Sequence, residues 1–543
     1  MRPVTALRHG ATFLLAYMTT TTFASRSSYG NRFTLEPTEE AARENAFQIF
    51  NAIHSAMRQW GSSINHNGLS VFLATVPHGT ILHHGTNSPE PPRGPEWLAF
   101  DIEHAEMFAR ARMGPPPKNQ PPGDANILTQ QLWYRAHRQP PRSDHDQNGE
   151  VHGYLHLYQV TRPLRLLYLD GMSAGNTNMG TLDTQDFLLR GNRSVSIWEE
   201  GERAVDLCKI LTPLGLDGVL RTEVGFEVIN CDFSDSMVLL EAHQRPDDGD
   251  AGYESPHSMT QALETIRAVS QRYHGIGGGR VVLNYSSMVS AMFYPVNLTN
   301  PNPDKSQPHL RRLASVTDDE LRAIKLHIET VILDRVDGSK PSVDWQGVTD
   351  LIIARYADRL WNMAENVDSL KVLQGIINGL LNTHMDYALE LGDRYTRAKE
   401  NCEAHYVQSQ PVLTRGDKLI AAALKNVTGF ICETLFDVRE LIVEDLNANE
   451  ESFIAAKKLI KSLNEKLRWS RWKECTTCSF DEVCFIPMWP NGDKDSYDRP
   501  NCRNSTTLMN GWEDNQYWEP VWGGHGPAKP EEPKGGGDGP KDL

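Results

Sequence analysis

The stretch HGTILHHGT, residues 78–86, is followed closely by EWLAFDIEHAEMFA, residues 96–109. The first stretch predicts a strand that ends in a His-Gly pair. The second predicts a short strand, Trp97–Phe100, leading into a helix that Asp101 can cap. Much later, GLDGVLRTEVGFEVINC at residues 215–231 predicts a strand with Glu227 near its start. These pieces indicate a mixed sheet.

Further short apolar runs surround these pieces and are typical of strands. A Pro-rich stretch at 114–123 interrupts these runs and predicts a surface insertion. We therefore predict an α+β domain with long loops over residues 65–242. The strand-like runs lie at 70–76, 81–84, 153–160, 164–169 and 226–231.

Taken in order, the three pieces resemble the ADP-ribosyltransferase fold of the diphtheria-toxin and poly(ADP-ribose)-polymerase branch. His84-Gly85-Thr86 is similar to the first signature of that family, a strand with His-Gly-Ser/Thr. The strand at 97–100 resembles the second signature, and Glu227-Val-Ile-Asn the third. The resemblance covers residues 70–242 at most. Glu223 and Glu227 are four positions apart, unlike the Glu-x-Glu pair of arginine-specific transferases.

The resemblance implies NAD as the substrate and catalytic roles for Glu227 and His84. Glu227 would bind a ribose hydroxyl and stabilise the positive charge that develops as the nicotinamide–ribose bond breaks. His84 would hydrogen-bond a ribose hydroxyl, and an aromatic ring would stack on the nicotinamide. No metal ligand is implied. The residues implied to bind NAD are His84, Gly85, Thr86, Trp97 and Phe100.

Two functions follow from this resemblance. The first is a secreted NAD-dependent ADP-ribosyltransferase or NAD glycohydrolase that acts on an unknown protein or small-molecule acceptor. The second is a non-enzymatic secreted effector or binding protein with a degenerate transferase fold. Only the enzyme needs His84, an aromatic ring and Glu227 in one cleft. Because a cleft carboxylate contributes little to a core, we expect Glu227→Gln to abolish turnover and leave folding nearly intact.

The amino-acid composition argues against a nucleic-acid-binding protein and against a membrane-spanning protein. The chain has 543 residues, with 54 Lys and Arg against 70 Asp and Glu, which gives a net charge of −16. Phosphate binding along a nucleic acid needs a basic surface, so no nucleic-acid partner is expected. After the first 30 residues no apolar run approaches the ~20 residues of a membrane span, so we predict none.

The N-terminus and the cysteine count favour export. Arg2 and Arg8 precede an apolar stretch, 11–17, and small residues follow it, as in a signal peptide over 1–24. Eight cysteines, an even number, favour disulfides in an extracellular protein. The chain also resembles large secreted proteins of filamentous fungi that have no settled activity. Sequons for N-glycosylation stand at Asn192, Asn284, Asn297, Asn426 and Asn504.

The cysteines allow many pairings. Cys208 with Cys231, and Cys402 with Cys432, are the pairs that we expect. The last four cysteines could bind zinc, but disulfides are the preferred interpretation in a secreted chain. Their connectivity is left open by the sequence. These four are Cys475, Cys478, Cys484 and Cys502, in a segment that also holds six of the twelve tryptophans. We expect these tryptophans to form a small core rather than a sugar-stacking surface.

Three aspartates offer another candidate site. Asp170, Asp183 and Asp186 could bind a cation or assist a glycosyl reaction, although turn and cap roles also explain them.

The second half of the chain has helical periodicity. Thr317-Asp-Asp-Glu320 predicts a capping box, and further helices are expected at 348–363, 370–389, 418–444 and 452–467. The predicted organisation is a signal peptide (1–24), a helical lead (25–64), the transferase-like domain (65–242), a linker and extension (243–316), a helical bundle (317–468), a Cys/Trp-rich module (469–522) and a disordered tail (523–543).

Overall fold

A computed structural model describes residues 35–109, 152–194, 196–246, 258–301, 309–508 and 515–518. Its α-helices are α1 (Glu39–Glu44), α2 (Ala46–Ser55), α3 (Gln59–Ile64), α4 (Ile102–Glu106), α5 (Glu200–Leu211), α6 (Phe233–Ser236), α7 (Met259–Ser270), α8 (Asp318–Arg335), α9 (Trp345–Glu365), α10 (Leu370–Leu381), α11 (Leu391–Ala404), α12 (Arg415–Arg439), α13 (Glu450–Leu467) and α14 (Lys494–Asp498). π-Helical turns span Thr184–Leu189 and Glu440–Glu444.

Nine strands form one large mixed sheet, in the order β8-β4-β2-β3-β7-β6-β5-β1-β9. Only the neighbours β5 and β6 are parallel; the other neighbouring strands of this sheet are antiparallel. The strands are β1 (Asn67–Val76), β2 (Ile81–Thr86), β3 (Glu96–Ala99), β4 (Tyr154–Val160), β5 (Leu164–Gly171), β6 (Gly218–Glu223), β7 (Gly225–Asn230), β8 (Met237–Gln244) and β9 (Val282–Ser290), with a separate pair β10 (Val483–Phe485) and β11 (Asn501–Arg503).

The prediction of an α+β fold with a helical second half is confirmed. Each strand-like run of the sequence corresponds to a strand of the large sheet, although Gly153 and Cys231, at the ends of two runs, lie just outside β4 and β7. The central strands β6 and β7 are buried along their whole length, as expected when both faces of a sheet are covered. Strand β9, at one edge, comes from the segment that we predicted as linker and extension.

Capping residues mark two of the helix starts, whereas Asp101, the predicted cap of α4, makes no side-chain capping hydrogen bond and pairs with Arg272 instead. The Thr38 side chain accepts a hydrogen bond from the Ala41 backbone N–H. Thr317 and Glu320 form the predicted capping box at the start of α8. The helical lead is divided into α1, α2 and α3, and Met57, between the last two, has a φ of +55°. A left-handed residue cannot continue an α-helix.

One helix is shorter than predicted. The periodicity predicted helix over 370–389, whereas α10 ends at Leu381 and a 3₁₀ turn follows over Asn382–His384. The Asn382 side-chain oxygen accepts a hydrogen bond from Arg439 at 3.1 Å. This contact ties the turn to the end of α12.

The sheet and the helical half share one hydrophobic core. It runs from Phe50 in α2 through Tyr168 in β5 to Trp345 in α9 and Leu467 in α13. Each of these side chains is at most 1% exposed. Segments that the sequence assigns to different regions therefore bury their apolar surface against one another, and this burial is the main favourable term in folding.

The Cys/Trp-rich segment packs on a second core. Val483 and Phe485 of β10 join Trp60 of α3 and Leu263 of α7 in this cluster, and Trp60 Nε1 donates to the carbonyl oxygen of Ser470 at 3.1 Å. The core interpretation of the tryptophans holds for three of them: Trp469, Trp489 and Trp518 are buried.

All eight cysteines form disulfides. The two expected pairs, Cys208–Cys231 and Cys402–Cys432, are confirmed. The remaining bridges, whose pairing the sequence left open, are Cys475–Cys484 and Cys478–Cys502. Disulfide sulfurs are not available as thiolate ligands, so the zinc alternative for these cysteines is wrong.

One helix among the described residues is long and apolar enough to cross a membrane. It spans Arg415–Glu444, and 61% of its most apolar window is buried inside the protein. Ile420, Val427 and Ile431 of this helix belong to the shared core. A buried helix of a folded domain can therefore be as long and apolar as a membrane span.

Three predictions lie outside the described residues. These are the signal peptide over 1–24, the Pro-rich insertion at 114–123 and the disordered tail over 523–543.

The disulfides should stabilise the fold according to the length of chain that each closes. Cys402–Cys432 joins α11 to α12 with a sequence separation of 30, whereas Cys475–Cys484 has a separation of 9. Replacing the first pair by alanines should lower the free energy of unfolding by about 3–4 kcal/mol, and replacing the second pair by about 1 kcal/mol less. Denaturant unfolding of both double variants checks this; an equal or reversed order would contradict the loop-length account.

Candidate functional site

The register of the sheet decides which predicted site residues share a face. Ala99 in β3 lies opposite His83 in β2 and opposite Glu227 in β7. Directly opposed residues share a face of the sheet, and the next residue along a strand points to the other face. His84 therefore lies on the face opposite to Glu227. We call these the His84 face and the Glu227 face.

His84 is packed inside the protein on its own face. Its ring centroid is 6.0 Å from that of Phe233 in α6 and 5.8 Å from that of His156 in β4. Its Nδ1 atom is 2.7 Å from the carbonyl oxygen of Trp97. The residue is only 6% exposed. The predicted ribose-binding histidine is thus part of the packing between the strands and α6.

Gly85 is required by the packing of α4. A Cβ atom at this position would lie 2.1 Å from the carbonyl oxygen of Ala105, which no real side chain allows. Its partner across the sheet is Leu155, which packs with Ala99, Ala105 and Ala109. The space over Gly85, where the resemblance implied NAD, is therefore filled by α4. Thr86 is half-buried opposite Tyr154.

The two candidate stacking rings also lie on different faces. Trp97 is opposite Ile229, two residues from Glu227, and is partly buried against the shared core. Phe100 is 2% exposed and lies in that core, with the Arg280 guanidinium carbon 5.5 Å from its ring centroid. Since Phe100 follows Ala99, strand alternation directs it away from the Glu227 face. The predicted residues do not converge on one cleft.

Glu227 is instead the partner of a fully buried arginine. Its Oε1 atom accepts hydrogen bonds from Arg221 Nη2 at 2.6 Å and from Arg221 Nε at 3.1 Å. Arg221 also donates to Glu200 Oε2 and Gln185 Oε1, both at 2.8 Å. Desolvation acts to lower the pKa of Arg221, but the carboxylates of Glu200 and Glu227 outweigh it and raise that pKa above its ordinary value.

The ion pairs continue from Arg221 toward the surface. Glu200 accepts a hydrogen bond from Arg203 Nη1, and Arg203 donates to both oxygens of Asp186 at 2.9 Å. Arg190 then bridges Asp186 and Asp206. We call this chain of alternating charges the arginine network. Its acids and bases come from β6, β7, α5 and the π-helical turn Thr184–Leu189 with the residue that follows it, Arg190. The network therefore fixes those elements to one another.

A buried imidazole joins the same face, and sequence reasoning missed it. His104 Nε2 in α4 is 3.1 Å from Glu223 Oε1, and possible ligand atoms of His104, Glu223 and Glu227 all lie within 4.8 Å of one another. All three residues are at most 2% exposed. The tight hairpin between β6 and β7 brings Glu223 and Glu227 together, which their four-residue spacing could have indicated.

The geometry of this trio fits a hydrogen-bonded cluster better than a metal centre. His104 Nδ1 is buried and has no hydrogen-bond partner among the described residues, so the ring proton belongs on Nε2, facing Glu223. That nitrogen is the one a metal would need. A metal-bound histidine normally donates its other N–H to an acceptor, and Glu227 is already bound by Arg221.

The aspartates singled out in the sequence have structural roles. Asp170 Oδ1 accepts the Ser70 backbone N–H at 2.8 Å, where the pairing of β1 with β5 is irregular. Asp183 pairs with Arg312 at 2.8 Å. Asp186 belongs to the arginine network. Burial raises the pKa of Asp170 to about 7.

The chain is similar to known proteins, and the two relatives described below have no stated activity. Residues 36–251 match a family described as the YPL277C N-terminal domain. The chain is 25% identical to the uncharacterized protein YOR389W of Saccharomyces cerevisiae, with 82% of each chain covered. It is 26% identical to the uncharacterized protein YPL277C of the same yeast, covering 60% of this chain and 76% of the relative. No solved structure matches.

Because Glu227 is buried, we now expect Glu227→Gln to destabilise the protein, contrary to the expectation from the sequence. We expected this variant to fold nearly normally because we placed the carboxylate in a surface cleft; it is 2% exposed and paired with Arg221. Breaking a buried pair costs about 3–5 kcal/mol, and Glu200 still offsets part of the Arg221 charge. The free energy of unfolding should therefore fall by about 2 kcal/mol or more, as measured by denaturant unfolding.

The matched control is Glu241→Gln, which removes a carboxylate from the exposed pair with His243. This variant should change the free energy of unfolding by no more than about 0.5 kcal/mol. If Glu227→Gln were as stable as Glu241→Gln, Arg221 would not depend on Glu227.

Proposed function

We propose that the protein is exported and acts as a non-enzymatic binding protein, whose resemblance to the ADP-ribosyltransferases does not extend to a working NAD site. The proposal rests on the register of β2, β3 and β7, which puts His84 and Glu227 on opposite faces of the sheet. A catalytic carboxylate must reach the reacting bond. Glu227 is committed to Arg221 instead.

The surroundings of Glu227 support the same proposal. The space over Gly85 is filled by α4, and Phe100 is part of the core. An NAD-cleaving site on this chain would require α4 to move away from the sheet and Glu227 to leave its ion pair. Both steps expose buried charge or apolar surface, which is costly.

Export is supported by the cysteines. All eight are paired and none is free. Structural disulfides are typical of secreted proteins and rare in the cytosol.

The purified full-length protein should release no nicotinamide from NAD above the rate in buffer. The reason is that Glu227, the carboxylate predicted to act with His84, lies on the other face of the sheet and is paired with Arg221. The measurement is chromatography of nicotinamide, with a known NAD glycohydrolase as the positive control. Release by the wild-type protein that is lost in a Glu227→Gln preparation still folded by circular dichroism would overturn the proposal and restore the enzyme.

Export should also leave glycans at particular sequons. Asn192 and Asn297 are exposed, and each side-chain oxygen accepts a backbone N–H two residues on, at 3.0 Å. Asn426 lies within α12 and its amide donates to the carbonyl oxygen of Arg43 at 2.8 Å. Glycans are bulky and belong on exposed loops, so secretion from a eukaryotic host should modify Asn192 and Asn297.

Treatment with a glycosidase and mass spectrometry of the secreted protein checks this prediction. Asn192→Gln and Asn297→Gln should each remove one glycan, and Asn426→Gln should remove none. A protein retained in the cytosol with reduced thiols would contradict export.

A further inference from the structure

A small cavity lies between α2, the start of β1, the end of β5 and the end of α13. Its volume is about 60 Å³, enough for a small ion or a few water molecules. Its polar lining includes His309, Arg311, Lys466, Arg468, Asn67 and Asp170. We call it the basic pocket.

Hydrogen bonds hold the walls of the basic pocket in place. Asn67 Nδ2 donates to the carbonyl oxygens of Met179 and Arg311, at 2.8 and 3.2 Å. Asn51 Nδ2 in α2 donates to the carbonyl oxygen of Leu467, at the end of α13, at 3.1 Å. The segments that carry the basic side chains are therefore positioned before any ligand arrives, which lowers the cost of binding.

The basic pocket gathers cations that lack acidic partners. The chain has a net charge of −16, and most arginines around the sheet are paired with carboxylates. Arg311, Lys466 and Arg468 form no ion pair within the described ranges. Lys466 lies 4.3 Å from the ring centroid of Phe430, and Arg468 contacts an imidazole rather than an acid.

Two N–H groups in the basic pocket lack an acceptor. Arg468 Nη2 is 3.1 Å from His309 Nε2; an arginine can only donate, so Nε2 accepts and the ring proton lies on Nδ1. Within the described part of the chain, His309 Nδ1 and Arg311 Nε are both buried without a hydrogen-bond partner. Unsatisfied buried donors are costly; both nitrogens are closed to solvent, so they leave positive potential in the wall of the basic pocket rather than a direct contact for a ligand.

The two titratable groups of the basic pocket do not cancel its positive charge. Desolvation and the charge of Arg468 lower the pKa of His309 to about 3, so this ring is a neutral donor. Burial raises the pKa of Asp170 to about 7, and its Oδ1 is engaged with the Ser70 backbone N–H. At neutral pH the charge of Asp170 is therefore smaller than one full negative charge, against three cations.

We propose that the basic pocket binds a small oxyanion, and that a phosphate group is the ligand whose charge, size and acceptor oxygens fit it. Lys466 and Arg468, whose side chains are exposed, would donate to its oxygens, and Arg311 in the wall of the pocket would add a third positive charge. This inference deepens the proposed binding function by giving its ligand class. It does not depend on whether NAD is cleaved.

Titration calorimetry with inorganic phosphate tests the proposal on the full-length protein, with sodium chloride at matched ionic strength as the reference. We expect saturable binding at one site. Arg311→Gln and Arg468→Asn should each weaken it at least about tenfold, because each removes a charge-assisted hydrogen bond or a direct charge. Asparagine is chosen at Arg468 because the φ of +49° there is one that asparagine tolerates.

Lys461→Gln is the matched control. It removes an exposed cation from α13, the helix that carries Lys466, and Lys461 does not line the basic pocket. It should bind phosphate like the wild type, and all variants should share one unfolding midpoint in chloride. Absence of saturable binding, or equal binding by wild type, Arg311→Gln and Arg468→Asn, would overturn the proposal and leave ordered water as the occupant.

A second titration with a phosphate monoester, glycerol phosphate, distinguishes the source of the group. Tighter binding than inorganic phosphate would indicate a phosphate carried by a larger molecule, and weaker binding would indicate the free ion. Either result supports the phosphate chemistry. Nicotinamide release, measured separately, would overturn the non-enzymatic function without affecting this site.

Discussion

The buried guanidinium of Arg221 sets the constraint on which the centre of the structure depends. A charge removed from water costs several kcal/mol unless it is paired and hydrogen-bonded. Arg221 meets this requirement through Glu227 on the neighbouring strand, Glu200 on α5 and Gln185 on the π-helical turn. Each of these partners must stay in place for the others to remain satisfied, because a partly satisfied buried network is worse than an apolar core.

The arginine network extends this requirement to a whole face of the sheet. Arg203 is fully buried and needs both Asp186 and Glu200. The π-helical turn carries Asp186, and such turns often depart from regular helix to aim particular side chains. Glu227 and Asp186, two candidate site residues of the sequence analysis, thus help to attach α5 and this turn to the sheet.

The sequence predicts much of this fold because several signals are local. Thr317 with Glu320 indicates a helix start, and the apolar run of β5 indicates a buried strand. The pair Cys402–Cys432 follows from the two helices that it joins. The site was not predictable in the same way. A shift of one residue in register transfers every side chain to the other face, and the sequence does not state that His83 rather than His84 lies opposite Ala99.

The same limit applies to long-range packing. Nothing local in Asn51 indicates that its amide will contact Leu467, so the basic pocket could not be foreseen. Comparing its charges with the arginine network explains why we place ligand binding there. In the network each arginine has a carboxylate, and adding a ligand would displace a partner that is already optimal. In the basic pocket Arg311 and Arg468 have no such partner in the described part of the chain, so an incoming anion gains their interaction without breaking an ion pair.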